Sequence, residues 1–152
     1  TCLLMSSPLY NQDILRLATS IAHQGRLTDA EGSAELRSPT CGSRIIVDVR
    51  VDGAGRLAEL GVEPRACALG QAATSLMAAH AVNHSAEELA DVAQRLRAFL
   101  SGADISADFW PGIDVLAPAR NYPARHPSIL LAFDAVAAAM EQAVAARAQG
   151  AR

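Results

Sequence analysis

Cysteine is scarce in this 152-residue sequence: Cys2, Cys41 and Cys67 are all there is. An odd count without a charged, apolar leader argues against a disulfide scaffold and for reduced thiols in the cytoplasm. The start, Thr1-Cys2-Leu3-Leu4-Met5, is too short for a signal peptide. Residues 1–6 are expected to be a disordered or artificial start outside the fold, with Met5 a natural first residue. Excess positive charge is also missing. The formal net charge is −3 and the pI is near 5.7, so no nucleic-acid partner is expected. No apolar run stands out as long enough to cross a bilayer, so no membrane partner is expected. Enzyme signatures are absent too: there is no Gly-x-Ser-x-Gly and no His-Glu-x-x-His. Gly53-Ala54-Gly55 lies between two strand patterns rather than between a strand and a helix, which excludes a phosphate loop. No repeat or linker divides the chain, and its length suits one domain over residues 1–152 with a sizeable core.

What is present begins with a helical pattern over residues 7–23. Ile14, Leu15, Ala18, Ile21 and Ala22 recur at helical spacing. Ser6 or Ser7 is the expected cap, with Pro8 in the first turn. Ala34–Arg37 reads as a short strand. Residues 43–52 form the clearest element, where Ile45, Val47, Val49 and Val51 alternate with Arg44, Ile46, Asp48, Arg50 and Asp52. That is a strand with one buried face. Asp52-Gly53-Ala54-Gly55 turns the chain, and Arg56–Pro64 returns as a third strand. Ala66–Val82 is an Ala-rich helix with Cys67 at its start. Ser85-Ala86-Glu87-Glu88 is a capping box opening a helix through Phe99. Residues 103–127 are proline-bearing and too long for a structureless loop, so short helical turns are expected there. Ser128–Arg147 reads as the last helix, with Ser128 its N-cap. Strands grouped before helices predict an α+β fold: a three-stranded antiparallel sheet packed against several helices.

The candidate chemistry centres on Pro39-Thr40-Cys41-Gly42-Ser43. Cys41 sits in a turn, whereas core cysteines usually lie in apolar runs. A metal ligand, a nucleophile, half of a disulfide and an inert thiol all remain open for it. His80 and His84 lie four apart but lack metal spacing to the cysteines, so structural use is expected. Trp110, beside Phe109, is expected to pack on the helices.

Four stretches carry a family resemblance. They are Leu9-Tyr10-x-Gln12-x-Ile14, Pro39-Thr40-Cys41-Gly42, Arg65-Ala66-Cys67-Ala68, and Asn121-Tyr122-Pro123-Ala124-Arg125-His126-Pro127-Ser128 leading into Leu131-Ala132-Phe133. In this order they resemble the iron–sulfur cluster assembly scaffolds of the NifU N-terminal/IscU class, closest to the SufU-type branch, over roughly residues 8–145. The resemblance implies that thiolates from separate loops converge on one exposed corner. There they take Zn²⁺ or a nascent iron–sulfur cluster, or accept sulfur from a cysteine desulfurase for downstream apoproteins. Soft thiolates suit these metals. Such a protein works by transient ligation rather than turnover.

The pattern departs from the family in defined places. Cys41 and Cys67 match two ligand cysteines. The third cysteine falls at Ser128 and the ligand Asp at Ser43, and the family's early Asn-Pro turn is replaced near Ile21-Ala22-His23. Hydroxyls are poor ligands at neutral pH. His126 offers a nitrogen two residues from Ser128, and Arg125 offers positive charge beside thiolates. Three functions follow from this donor set. One is a working scaffold that binds Zn²⁺ or a cluster through Cys41 and Cys67, helped by His126 or by a second subunit. Another is a degenerate, non-metal-binding scaffold homologue acting as a protein-binding module. The third is a thiol redox or sulfur-transfer protein.

Overall fold

The computed structural model describes residues 11–39 and 42–150. Asn11 caps helix α1 (Gln12–Ala18), its Oδ1 accepting the Ile14 amide at 3.0 Å. The expected caps Ser6 and Ser7 lie outside the described residues. The helix also ends five residues before His23. Thr19 and Ser20 return hydroxyl hydrogen bonds to the Arg16 carbonyl, which competes with continued helix. The chain then turns through His23, whose φ is 60°. His23 accepts the Val62 amide and Gly25 donates to the Val62 carbonyl, so this segment runs beside the sheet.

The sheet is β1 (Gly32–Arg37), β2 (Arg44–Val51) and β3 (Leu57–Arg65), antiparallel in the order β1-β2-β3. The alternation seen in the sequence sets its core face: Ile45, Val47, Val49 and Val51 are all buried. Asp52 forms the hairpin turn by accepting the Ala54 and Arg56 amides on Oδ1 at 2.9 and 3.0 Å. This is the local bonding that favours Asp in turns.

The other face of β2 departs from expectation. Alternation assigns Asp48 to solvent, yet its side chain is fully buried. Residues 24–31 cross over it. Arg26 Nε donates to Oδ2 at 2.6 Å and the Leu27 amide donates to the same oxygen at 3.0 Å. Ser33 Oγ donates to Oδ1 at 2.6 Å. Burial pushes the Asp48 carboxyl up. The hydrogen bonds from Arg26, Ser33 and Leu27 outweigh that and hold it below the ordinary aspartate value.

Helices cover the core face. Helix α2 (Ala68–His80) is buried along most of its length, which explains its Ala and Ser content: small side chains let it approach its neighbours closely. Helix α3 (Ala86–Leu100) opens on the expected capping box. The Glu88 amide donates to Ser85 Oγ at 3.1 Å, and the Ser85 amide donates to Glu88 Oε1 at 2.9 Å. Helix α4 (His126–Gly150) packs against β1, β2, α2 and α3. By length and composition alone Pro123–Ala148 is apolar enough to cross a membrane, with mean hydropathy 1.6. That corrects the reading that no such run exists. Here the helix is the central core element, with Phe133, Val136, Ala139 and Met140 fully buried. Its backbone lies so close to β1 that a Cβ on Gly32 would stand 2.0 Å from the Ala139 carbonyl oxygen.

The proline-bearing stretch contains the short helical turns expected, as 3₁₀ segments at Ile113–Asn121 and Pro123–Arg125. Trp110 anchors this stretch in the core. Its Nε1 donates to the Leu76 carbonyl at 2.8 Å, and its ring meets Phe133 edge-on at 5.7 Å. His80 and His84 pack on the same indole, at 6.2 and 5.0 Å between ring centres, in the structural use expected of them.

Candidate functional site

Cys67 occupies the N-cap position of α2, with extended backbone and no capping bond from its side chain. It is half-buried and packs against the core. A helix N-terminus carries unsatisfied amides and partial positive charge, a setting that favours an anion. The Gln71 amide donates to the Cys67 carbonyl at 2.9 Å, and Gln71 Nε2 donates to the Ala66 carbonyl at 3.0 Å. Both bonds fix the turn that presents the thiol.

Ser128 reaches the same turn from far along the chain. A Cβ built on Gly70 would meet Ala66 Cβ at 2.8 Å, the Ser128 carbonyl oxygen at 3.4 Å and Ser128 Cβ at 3.8 Å. The missing side chain at Gly70 therefore lets the start of α4 sit against the first turn of α2. A lone Gly inside an Ala-rich helix is the sequence signal for this contact. Ser128 is buried, and it is not the N-cap expected for it. The 3₁₀ turn at Pro123–Arg125 runs directly into α4, so the helix begins at His126, two residues earlier.

Ser43 arrives through the sheet. It is buried, and its carbonyl accepts the Ser38 amide at 2.8 Å. The Gly42 amide donates to the Ser38 carbonyl at 3.1 Å, with φ of 74° at Gly42, a conformation suited to glycine. Arg44, next in the chain, pairs across the ladder with Arg65, two residues before Cys67. The Ser38–Ser43 turn thus stands at the sheet end from which the chain enters α2. Cys41, which precedes Gly42 in the chain, lies outside the described residues.

The remaining candidates are placed plainly. His126 Nε2 stands 2.9 Å from the Ala119 carbonyl oxygen. A carbonyl only accepts, so Nε2 is the donor in this contact. The Arg125 side chain is exposed and makes no ion pair among the described residues. No group of three His, Cys, Asp or Glu among the described residues is placed to hold a metal ion. The Zn²⁺ expectation therefore finds no support there.

Comparison with known proteins agrees with this architecture. Residues 9–142 match the NifU-like N-terminal domain. The iron–sulfur cluster assembly scaffold protein IscU of Thermotoga maritima is 25% identical over 134 residues, covering 88% of this chain and 94% of that protein. The solved structure of a nitrogen-fixing NifU-like protein (N-terminal) from Brucella abortus is similar with TM-score 0.84 and 31% identity. It covers 91% of this chain and 96% of its own. A putative SUF-system scaffold from Fervidobacterium islandicum shares the fold at TM-score 0.81 and 20% identity, over 90% of this chain and 99% of its own. The chain belongs to the NifU-like N-terminal domain family, the family of the iron–sulfur cluster assembly scaffolds.

Proposed function

We propose that the chain takes part in iron–sulfur cluster assembly as a scaffold or sulfur acceptor, using Cys67 and Cys41 at one corner of the fold. The observation that carries this reading is the contact of Ser128 with the first turn of α2 at Gly70, one turn after Cys67. This contact supports the reading by setting Ser128 against the turn that carries Cys67, although two of the positions that match family ligands hold hydroxyls.

Two thiolates fill only half of a four-thiolate cluster's needs. Cargo held this way keeps open positions for an acceptor's thiolates and leaves readily. The same two thiols support sulfur acceptance from a cysteine desulfurase. One thiolate attacks the outer sulfur of the donor's persulfide, a new S–S bond forms, and the donor cysteine leaves as its thiolate. Both uses require reduced thiols, the condition of the cytoplasm. Acceptor apoproteins complete the cycle. Neither use needs an enzyme's turnover. The second reading, a binding module that keeps the fold without metal, draws on the buried hydroxyls of Ser43 and Ser128.

Metal and labile-sulfide content of anaerobically purified protein tests the proposal, beside a Cys41→Ser/Cys67→Ser double variant. Near-stoichiometric iron and sulfide, lost in the variant, supports the scaffold. A persulfide on Cys67 or Cys41 after incubation with a desulfurase and cysteine supports sulfur acceptance. Neither result, even after reconstitution with iron and sulfide, leaves the binding module.

A further inference from the structure

We infer that Gln71 is a positioning residue for the Cys67 thiol: its side chain holds the start of α2 one residue late, so that Cys67 stands at the cap and not inside the helix. The inference rests on the proposed role of Cys67 as a working thiol. Local sequence preference points the other way. Ala66, Ala68 and Leu69 are strong helix formers, and cysteine is not among the residues favoured at an N-cap. Propensity alone would start the helix before Cys67. The α-helical bond that would do so runs from the Gly70 amide to the Ala66 carbonyl.

Among the described residues that bond is not made, and α2 begins at Ala68. The Ala66 carbonyl accepts from Gln71 Nε2 at 3.0 Å instead. Cys67 keeps an extended backbone, with φ −64° and ψ 169°. The Gln71 main-chain amide donates to the Cys67 carbonyl at 2.9 Å. One residue therefore grips the carbonyls on both sides of the thiol-bearing Cα, one through its side chain and the other through its main chain. Side-chain bonds of this kind to the backbone compete with helix. Gln71 is the one polar side chain from Ala68 to Ala73. It lies four residues after Cys67, so the two share a helix face.

The position of the helix start decides what the sulfur can meet. The Ala68, Leu69 and Gly70 amides donate to no backbone carbonyl among the described residues, as the first turn of a helix requires. A side chain at the cap can reach such amides. One position later it projects outward from the turn. Moving Cys67 into the helix would turn its sulfur away from amides that favour an anion and re-aim it towards an incoming electrophile. Gln71 sets that aim without touching the reacting atoms.

The test compares three variants of the full, reduced chain. Gln71→Met keeps the length and loses the donor. Gln71→Glu is an isostere that cannot donate at neutral pH. Gln71→Lys keeps a donor on a longer side chain. The Cys67 Cα resonance in NMR reports extended or helical backbone, and the same spectra show whether each variant is folded. Alkylation of Cys67 by iodoacetamide, in which the thiolate sulfur displaces iodide, is followed by mass spectrometry of the Cys67 peptide, with Cys2 in the same digest as reference. Gln71→Met and Gln71→Glu are expected to move the Cα resonance to its helical position and to slow alkylation about two- to fivefold. Gln71→Lys should leave both near wild type. The proposal is overturned if Gln71→Met and Gln71→Glu leave either readout unchanged, or if Gln71→Lys acts as Gln71→Met does. Both readouts are taken without cargo. A wild-type chain that retains no iron or sulfide and accepts no persulfide therefore defeats the proposed function and not the placement by Gln71.

Discussion

Replacing Asp48 by Ala should destabilise the protein by about 3 kcal/mol, although the sequence pattern places this residue on the open face. The carboxylate accepts from Arg26 Nε and Nη2, Ser33 Oγ and the Leu27 amide. Arg26 is half exposed, so its ion pair is screened and counts for about 1 kcal/mol or less. The bonds from Ser33 and Leu27 end on a buried charge and weigh about 1–1.5 kcal/mol each. Asp48→Asn should cost less, because one amide oxygen still accepts from Arg26 and Leu27 while the Ser33 hydroxyl turns to accept. For a domain of this length Asp48→Ala corresponds to a fall in Tm of about 6–12 °C, read by circular dichroism. The pH dependence has a definite sign. The folded carboxyl lies below its ordinary value, so its stabilisation is complete above the unfolded aspartate value of about 3.9. It disappears as pH falls through the lower, folded value. The gap between wild type and Asp48→Ala should stay constant from neutral pH to about 4 and then narrow. A Tm change under about 2 °C, or a gap that widens in acid, refutes the assignment of residues 24–31 as a strap bonded to Asp48.

Other substitutions probe the packing and the corner. Gly32→Ala places a Cβ against the Ala139 carbonyl; neither backbone can yield cheaply, and a loss of about 3 kcal/mol or more in urea unfolding is expected. Trp110→Phe removes the bond to the Leu76 carbonyl and should cost about 1–2 kcal/mol in the same assay. Ser128→Cys is nearly isosteric at a buried site beside the first turn of α2. It should raise the iron and sulfide retained after reconstitution, which elemental analysis reads directly.

The sequence by itself determined the elements whose signals are local. The alternation from Ile45 to Val51 fixed the core face of β2, because side chains in a strand have only two directions. Asp52 fixed a hairpin and Ser85 with Glu88 fixed a helix start, because those bonds close within four residues. The four motifs around Gln12, Cys41, Cys67 and Arg125 carried the family. Tertiary structure alone decided what lies on top of what. Alternation shows that Asp48 points away from the helices, but not that a strap from residues 24–31 covers it. The sequence pattern starts the first strand at Ala34 and singles out neither Gly32 nor Gly70. Only packing shows them as the places where α4 touches β1 and α2. The start of α4 shifted from Ser128 to His126 because a 3₁₀ turn, whose bonds no hydrophobic period records, feeds the helix. Ser128 and the first turn of α2 are far apart in the chain, and they converge because α2 and α4 share one core. That convergence is a property of the burial of many side chains at once, which no short stretch of sequence contains.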